Sequence, residues 1–234
     1  MSAIFKREFI SYFTSPVGYA VLAAFTFFSG IFMWVYCMYP GTSNMSGVFQ
    51  SMFFIVLFVI PLITMRLFAE DKKQKTDQAL LTAPVGIPSI VTAKYLSALA
   101  MTGLCLSAFI IEGITLSFMS HPDWSVIIGN VFGMALLGSS FIAIGLFISS
   151  LTESVIVAGI VSFAVNVLIS LLDTVASTIP ADFIKDMFSS LSFQSRYSHF
   201  ALGLFSLSDV LYFVTLTFFF LFLTDRVIER RRWA

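Results

Sequence analysis

The sequence predicts an all-α integral membrane protein: six spanning helices, an amphipathic helix before the first, a short helix between the second and third, and short helices dipping into the outer leaflet between the fifth and sixth. Three observations carry this. Of 234 residues, 58% are hydrophobic and 11% charged, against about 45–50% and about 25% in soluble domains. The charges cluster, leaving 57 consecutive uncharged residues between Glu8 and Arg66, 29 between Asp123 and Glu153, and 19 between Glu153 and Asp173. The apolar runs are continuous rather than alternating, so helices and not a barrel satisfy the backbone inside lipid. The same composition excludes disorder, and a net charge of zero excludes a globally basic nucleic-acid binder.

A helix needs ~20 apolar residues to cross a core ~30 Å thick. Residues 1–15 come first. Met1, Phe5, Phe9 and Tyr12-Phe13 recur at helical spacing, with Ser2, Lys6, Arg7, Glu8 and Ser11 between them. This predicts an amphipathic helix in the inner headgroup layer, turning into the membrane at Ser15-Pro16. The first span is roughly Val17–Tyr39, ending at Pro40-Gly41. Its length exceeds the ~7–15 residues of a signal core, so it is expected to stay as an anchor. The second is roughly Val48–Met65, with Pro61 as a kink near its inner end.

Residues 66–94 form an inner loop with eight charges: Arg66, Glu70, Asp71, Lys72, Lys73, Lys75, Asp77 and Lys94. Asp71–Lys75 and Lys73–Asp77 are oppositely charged i,i+4 pairs, which support an exposed helix at about Glu70–Leu81. Leu80-Leu81 is its apolar tip, Thr82-Ala83-Pro84 ends it, and Pro88 suits the first turn of the next helix. The third, fourth, fifth and sixth spans are roughly Tyr95–Met119, Val126–Ser149, Val155–Leu172 and Val210–Thr224. The segment 173–208 is long and semi-apolar, and a loop of that length carries structure of its own.

Lys and Arg set the orientation. With both termini inside, eleven lie on inner segments and two, Lys185 and Arg196, outside. Within the spans, Glu112 falls in the outer third, near water, while Asn166 lies close to the midplane, where an amide needs a partner in the protein interior or at a dimer seam. Gly129–Gly133 has GxxxG spacing for close packing. Cys37 and Cys105 read as core residues, and Met33, Met38 and Met45 as apolar filler rather than Cu(I) ligands. His121 and His199 are too far apart to argue a metal site. No G-x-x-x-x-G-K-[ST], H-E-x-x-H or G-x-S-x-G occurs, so the chain itself holds no nucleotide or hydrolytic motif.

Three stretches carry a resemblance. One is Pro61–Glu70 followed by Thr76, Leu80-Leu81-Thr82-Ala83-Pro84-Val85 and Ala93-Lys94-Tyr95. The others are Lys6-Arg7-Glu8 with Tyr12–Tyr19, and Asp209–Phe213 with Glu229–Trp233. In this order the chain resembles ABC-type-two transporter permeases over essentially its whole length, closest in look to the gliding-motility branch and more distantly to the nitrous-oxide-reductase maturation permease. The resemblance implies a single permease domain over 1–234, with an elbow helix at 1–15 (Lys6, Arg7, Glu8), a cytoplasmic coupling loop at 66–94 and an extracellular re-entrant region at 173–208. Glu70, Thr76, Leu80, Leu81 and Pro84 are then the expected contacts to the ATPase, and Asn166 belongs to the pathway or the dimer seam. Lys75 stands before Thr76 where the family often has glycine, which implies a docking surface tuned to a particular ATPase.

The implied partners are cytoplasmic ABC ATPase subunits, which would bind ATP and Mg, a second permease copy or paralogue, the lipid bilayer, and an extracytoplasmic accessory protein, with no nucleic acid. The implied location is the bacterial cytoplasmic (inner) membrane, with both termini cytoplasmic. The chain is expected to carry no cofactor and to be an exporter subunit rather than an enzyme. Two alternatives stay open: a membrane scaffold that recruits an ATPase for a motility or envelope process, and an ATP-independent carrier or channel. The latter usually has internal repeats or intramembrane ionisable pairs, and neither is found.

Overall fold

The computed structural model describes residues 1–76, 86–119, 121–172, 174, 191–201, 203 and 206–233, and among these every regular element is helical. Helix α1 (Ser2–Thr14) stops at Ser15, whose extended backbone (φ −107°, ψ 153°) turns the chain, and α2 (Pro16–Met33) starts with Pro16 in its first turn. Gly18 makes this corner tight, since a Cβ there would stand 2.3 Å from the Tyr12 carbonyl oxygen. The end of α2 widens into a π-turn over Trp34–Met38. Then come α3 (Ser46–Thr64) and α4 (Arg66–Lys73), separated only by Met65. They are followed by α5 (Ile87–Ser117), α6 (Trp124–Leu151), α7 (Val155–Ser170), α8 (Phe193–Ala201) and α9 (Leu207–Trp233).

Among the described residues, five stretches are long and apolar enough to span: Pro16–Met38, Ser46–Lys73, Ile87–Ser117, Trp124–Leu151 and Leu207–Arg231. Six were expected. The remaining helix, α7, has 16 residues and reaches only ~24 Å, short of a ~30 Å core. Of the expected outer helices, α8 is described; residues 173, 175–190, 202, 204 and 205 lie outside the described residues.

Helix α6 is the axis of the fold. It packs against α3, α4, α5, α7, α8 and α9, and Leu137 through Leu146 are buried without interruption. Small residues let neighbours close on it: a Cβ at Gly145 would lie 2.2 Å from Thr64 Oγ1 of α3. Of the GxxxG pair, only Gly133 serves a close approach: it accommodates the Phe200 ring of α8, while Gly129 meets nothing within 4 Å among the described residues. Aromatic pairs fill the core between the helices, among them Phe49–Phe109 at 4.7 Å and Phe141–Phe193 at 5.0 Å. Cys37 and Cys105 are both buried and unbridged.

Two expectations about the loop after α3 need correction. Its helix does not begin at Glu70: the chain resumes helix at Arg66, ends at Lys73, and turns at Gln74 and Lys75, where Lys75 takes φ 57°. The next helix starts at Ile87, with Pro88 in its first turn as expected, so Lys94, assigned to the loop before the span at Tyr95, lies two turns inside α5. Residues 77–85, including Leu80, Leu81 and Pro84, lie outside the described residues.

Candidate functional site

The end of the bundle that carries both chain termini holds a buried ionic joint between α1, α4 and α5. Lys94 is the centre. Its side chain is wholly buried, yet its Nζ meets Glu8 Oε1 of α1 at 3.0 Å and Asp71 Oδ2 of α4 at 2.6 Å. It also donates to the Leu67 carbonyl and sits 5.1 Å from the centre of the Phe68 ring. Arg7 closes the outer side, bonding Glu8 and reaching Asp71 at 3.4 Å. Two cations and two carboxylates therefore balance. That balance makes the burial tolerable, because an unpaired charge at such depth costs several kcal/mol.

The sequence assigned Glu8 to the polar, outward side of α1, but it is 8% exposed and faces the protein. The half-exposed side instead carries Phe5, Phe9 and Phe13, whose rings follow one another at 5.9 and 5.4 Å. The reason is the Lys94 charge, which draws the carboxylate inward and turns the aromatic row to the other side of the helix. Tyr12 anchors the same helix by donating to the Ile63 carbonyl at 3.1 Å, and burial pushes its phenol pKa up, keeping it neutral.

Helix α4 is fastened from a second side. Its first N–H groups have no partner within their own turn, and Ser149 of α6 supplies one: Oγ accepts from Phe68 N at 3.1 Å and Ala69 N at 3.0 Å, and donates to the Met65 carbonyl at 3.0 Å. Lys72 donates to the Ser150 carbonyl. Asp71 thus points inward to Lys94, not along the helix to Lys75 as the i,i+4 spacing suggested.

Between α1 and α4 opens a cleft of about 230 Å³, lined by Arg7, Glu8, Tyr12, Arg66, Glu70, Asp71 and Thr76 among others. Glu70 pairs with Arg66 at 2.9 Å. Arg66 also donates to Ser15 at the α1–α2 corner. Thr76 Oγ1 donates to Asp71 Oδ1 at 2.9 Å, folding the turn back on α4. The site thus unites four expected residues, Arg7, Glu8, Glu70 and Thr76. Lys6 is exposed, and Asn166 is elsewhere.

Asn166 lies on the buried face of α7 with Ala158, Ser162 and Ser170. Neither of its side-chain polar atoms has a hydrogen-bond partner among the described residues. Glu112, expected near water, is buried, with Oε2 unpartnered among the described residues. It faces Ser29 of α2.

At the opposite end Asp209, 1% exposed, holds α8 to α9. It accepts from Arg196 at 2.8 Å and lies 2.8 Å from His199 Nδ1.

The arrangement is a joint of ion pairs beside an open polar cleft. Sequence reasoning missed Lys94, Asp71, Lys72 and Ser149. One signal was present for Lys94: starting the third helix at Pro88 puts this lysine inside a helix, where it must be paired.

The sequence model of a family described as ABC-2 family transporter protein matches residues 5–225. No curated protein matches the chain.

Proposed function

The chain belongs to the ABC-2 family of transporter proteins, and on that premise we propose that it is the membrane permease of an ATP-driven exporter, worked through its basic end. Membership implies the transmembrane subunit of an ABC transporter and partnering with ABC ATPase subunits, which hydrolyse the nucleotide. The finer reading is ours. Helix α1 is the elbow, α4 with the turn at Gln74–Thr76 begins the coupling element, and the basic end faces the cytoplasm of a bacterial inner membrane.

The observation that carries it is the α1–α4 joint. A helix bound to α5 and α6 by side chains, with exposed Lys73, Gln74, Lys75 and Thr76 at its tip, is suited to receive force and pass it inward. ATP closes the ATPase dimer, the coupling element follows, and two permease copies rearrange. ATP shifts this equilibrium only by binding one state better than the other. On this reading α7, though only 16 residues long, serves as a short sixth span, and the region 173–208 is the re-entrant gate.

The test is co-purification of an ATPase with the tagged chain, followed by Glu70→Lys combined with Leu80→Asp. The variant should stay inserted while transport is uncoupled from hydrolysis. Unchanged transport would remove the coupling assignment.

A further inference from the structure

We propose that Lys94 is a positioning residue that makes α1 and α4 move as one body and hands their displacement to α5. The inference rests on the docking reading above. Lys94 binds a carboxylate from each of α1 and α4, at 3.0 and 2.6 Å, and belongs to α5 itself. With its side chain 0% exposed, water does not replace either partner.

The competing route, straight up α3, is weaker. Pro61 has no N–H for the helix ladder, and Ser149 takes the Phe68 and Ala69 N–H groups just past Met65. A side chain inserted into the ladder kinks a helix and breaks its continuity. By contrast α5 is a continuous helix of 31 residues, ~46 Å long, running from the joint to the opposite end. Force applied at α4 meets that break before it reaches α3 and is carried into α5 through Lys94.

The test uses spin labels on Lys6→Cys and Lys73→Cys, both exposed positions on α1 and α4, with the chain in nanodiscs. The parent should give one narrow distance. Lys94→Met should lose it, together with thermal stability. The neutral triple variant Glu8→Gln, Asp71→Asn, Lys94→Met removes the stranded carboxylates, so it should regain thermal stability without regaining the narrow distance. A triple variant that keeps the narrow distance overturns the proposal.

A second label pair, Lys6→Cys with Ser125→Cys at the far end of α6, is read in the complex with the co-purified ATPase and a non-hydrolysable ATP analogue. A nucleotide-driven shift in the parent that is lost in the triple variant supports the transmission. A narrow Lys6–Lys73 distance with no nucleotide-driven shift retires the docking reading and leaves the joint standing.

Discussion

Ser149→Ala removes one oxygen and should loosen α4 more than any exposed change. In the structure Ser149 Oγ serves three backbone groups of the α3–α4 junction, Phe68 N, Ala69 N and Met65 O, at 3.0–3.1 Å, and it is fully buried. Losing a capping oxygen costs about 0.5–2 kcal/mol, and a buried donor left unmade costs about 1–3 kcal/mol. Two donors are affected, but the junction can relax to recover part of the loss. A net ~2 kcal/mol follows, equivalent to roughly thirtyfold in a local opening equilibrium. Hydrogen exchange of the peptide over 67–72 reads that opening directly. Exchange should quicken about thirtyfold, while the α6 core peptide over 137–146 is unchanged. Equal exchange in parent and variant would refute the junction as described.

Gly18→Ala pushes a methyl to 2.3 Å from the Tyr12 carbonyl oxygen and should lower the thermal midpoint, whereas Gly30→Ala, with nothing within 4 Å, should not; equal midpoints would mean the α1–α2 corner is looser than described. Asp209→Asn takes the charge from the Arg196 and His199 contacts and should speed hydrogen exchange of the peptide over 193–201. Asn166→Leu removes two buried polar atoms that have no partner among the described residues; it should raise thermal stability, and transport assayed in the same variant should fall if the amide lines the pathway or seam.

Five of the six expected spans were legible because burial in lipid is written in runs: the gap of 57 uncharged residues admits only two helices and a turn. The Ser15-Pro16 corner and the Pro88 start were legible for a local reason, since proline fixes its own φ and is favoured in a helix's first turn, where its missing N–H costs nothing. What escaped depends on residues far apart in the chain. Lys94 looks like any lysine flanking a span until Glu8, 86 positions away, is folded against it. The early start of α4 depends on Ser149, 80 or more positions away, satisfying its N–H groups. Asp71 had a local partner by spacing in Lys75, but a buried cation outcompetes an exposed one because water screens the latter. Glu112 was expected near water from its place along the helix, but that place says nothing about which side of α5 faces α2, and the carboxylate is buried.

The measurement that reaches the central claim most directly is ATP turnover by the partner ATPase, separated from the complex and recombined with this chain in proteoliposomes. The account predicts that adding the chain back raises turnover, and that the Glu70→Lys, Leu80→Asp variant returns it to the rate of the ATPase alone. A rate indifferent to the chain, with cargo crossing the membrane through the chain alone, would contradict it.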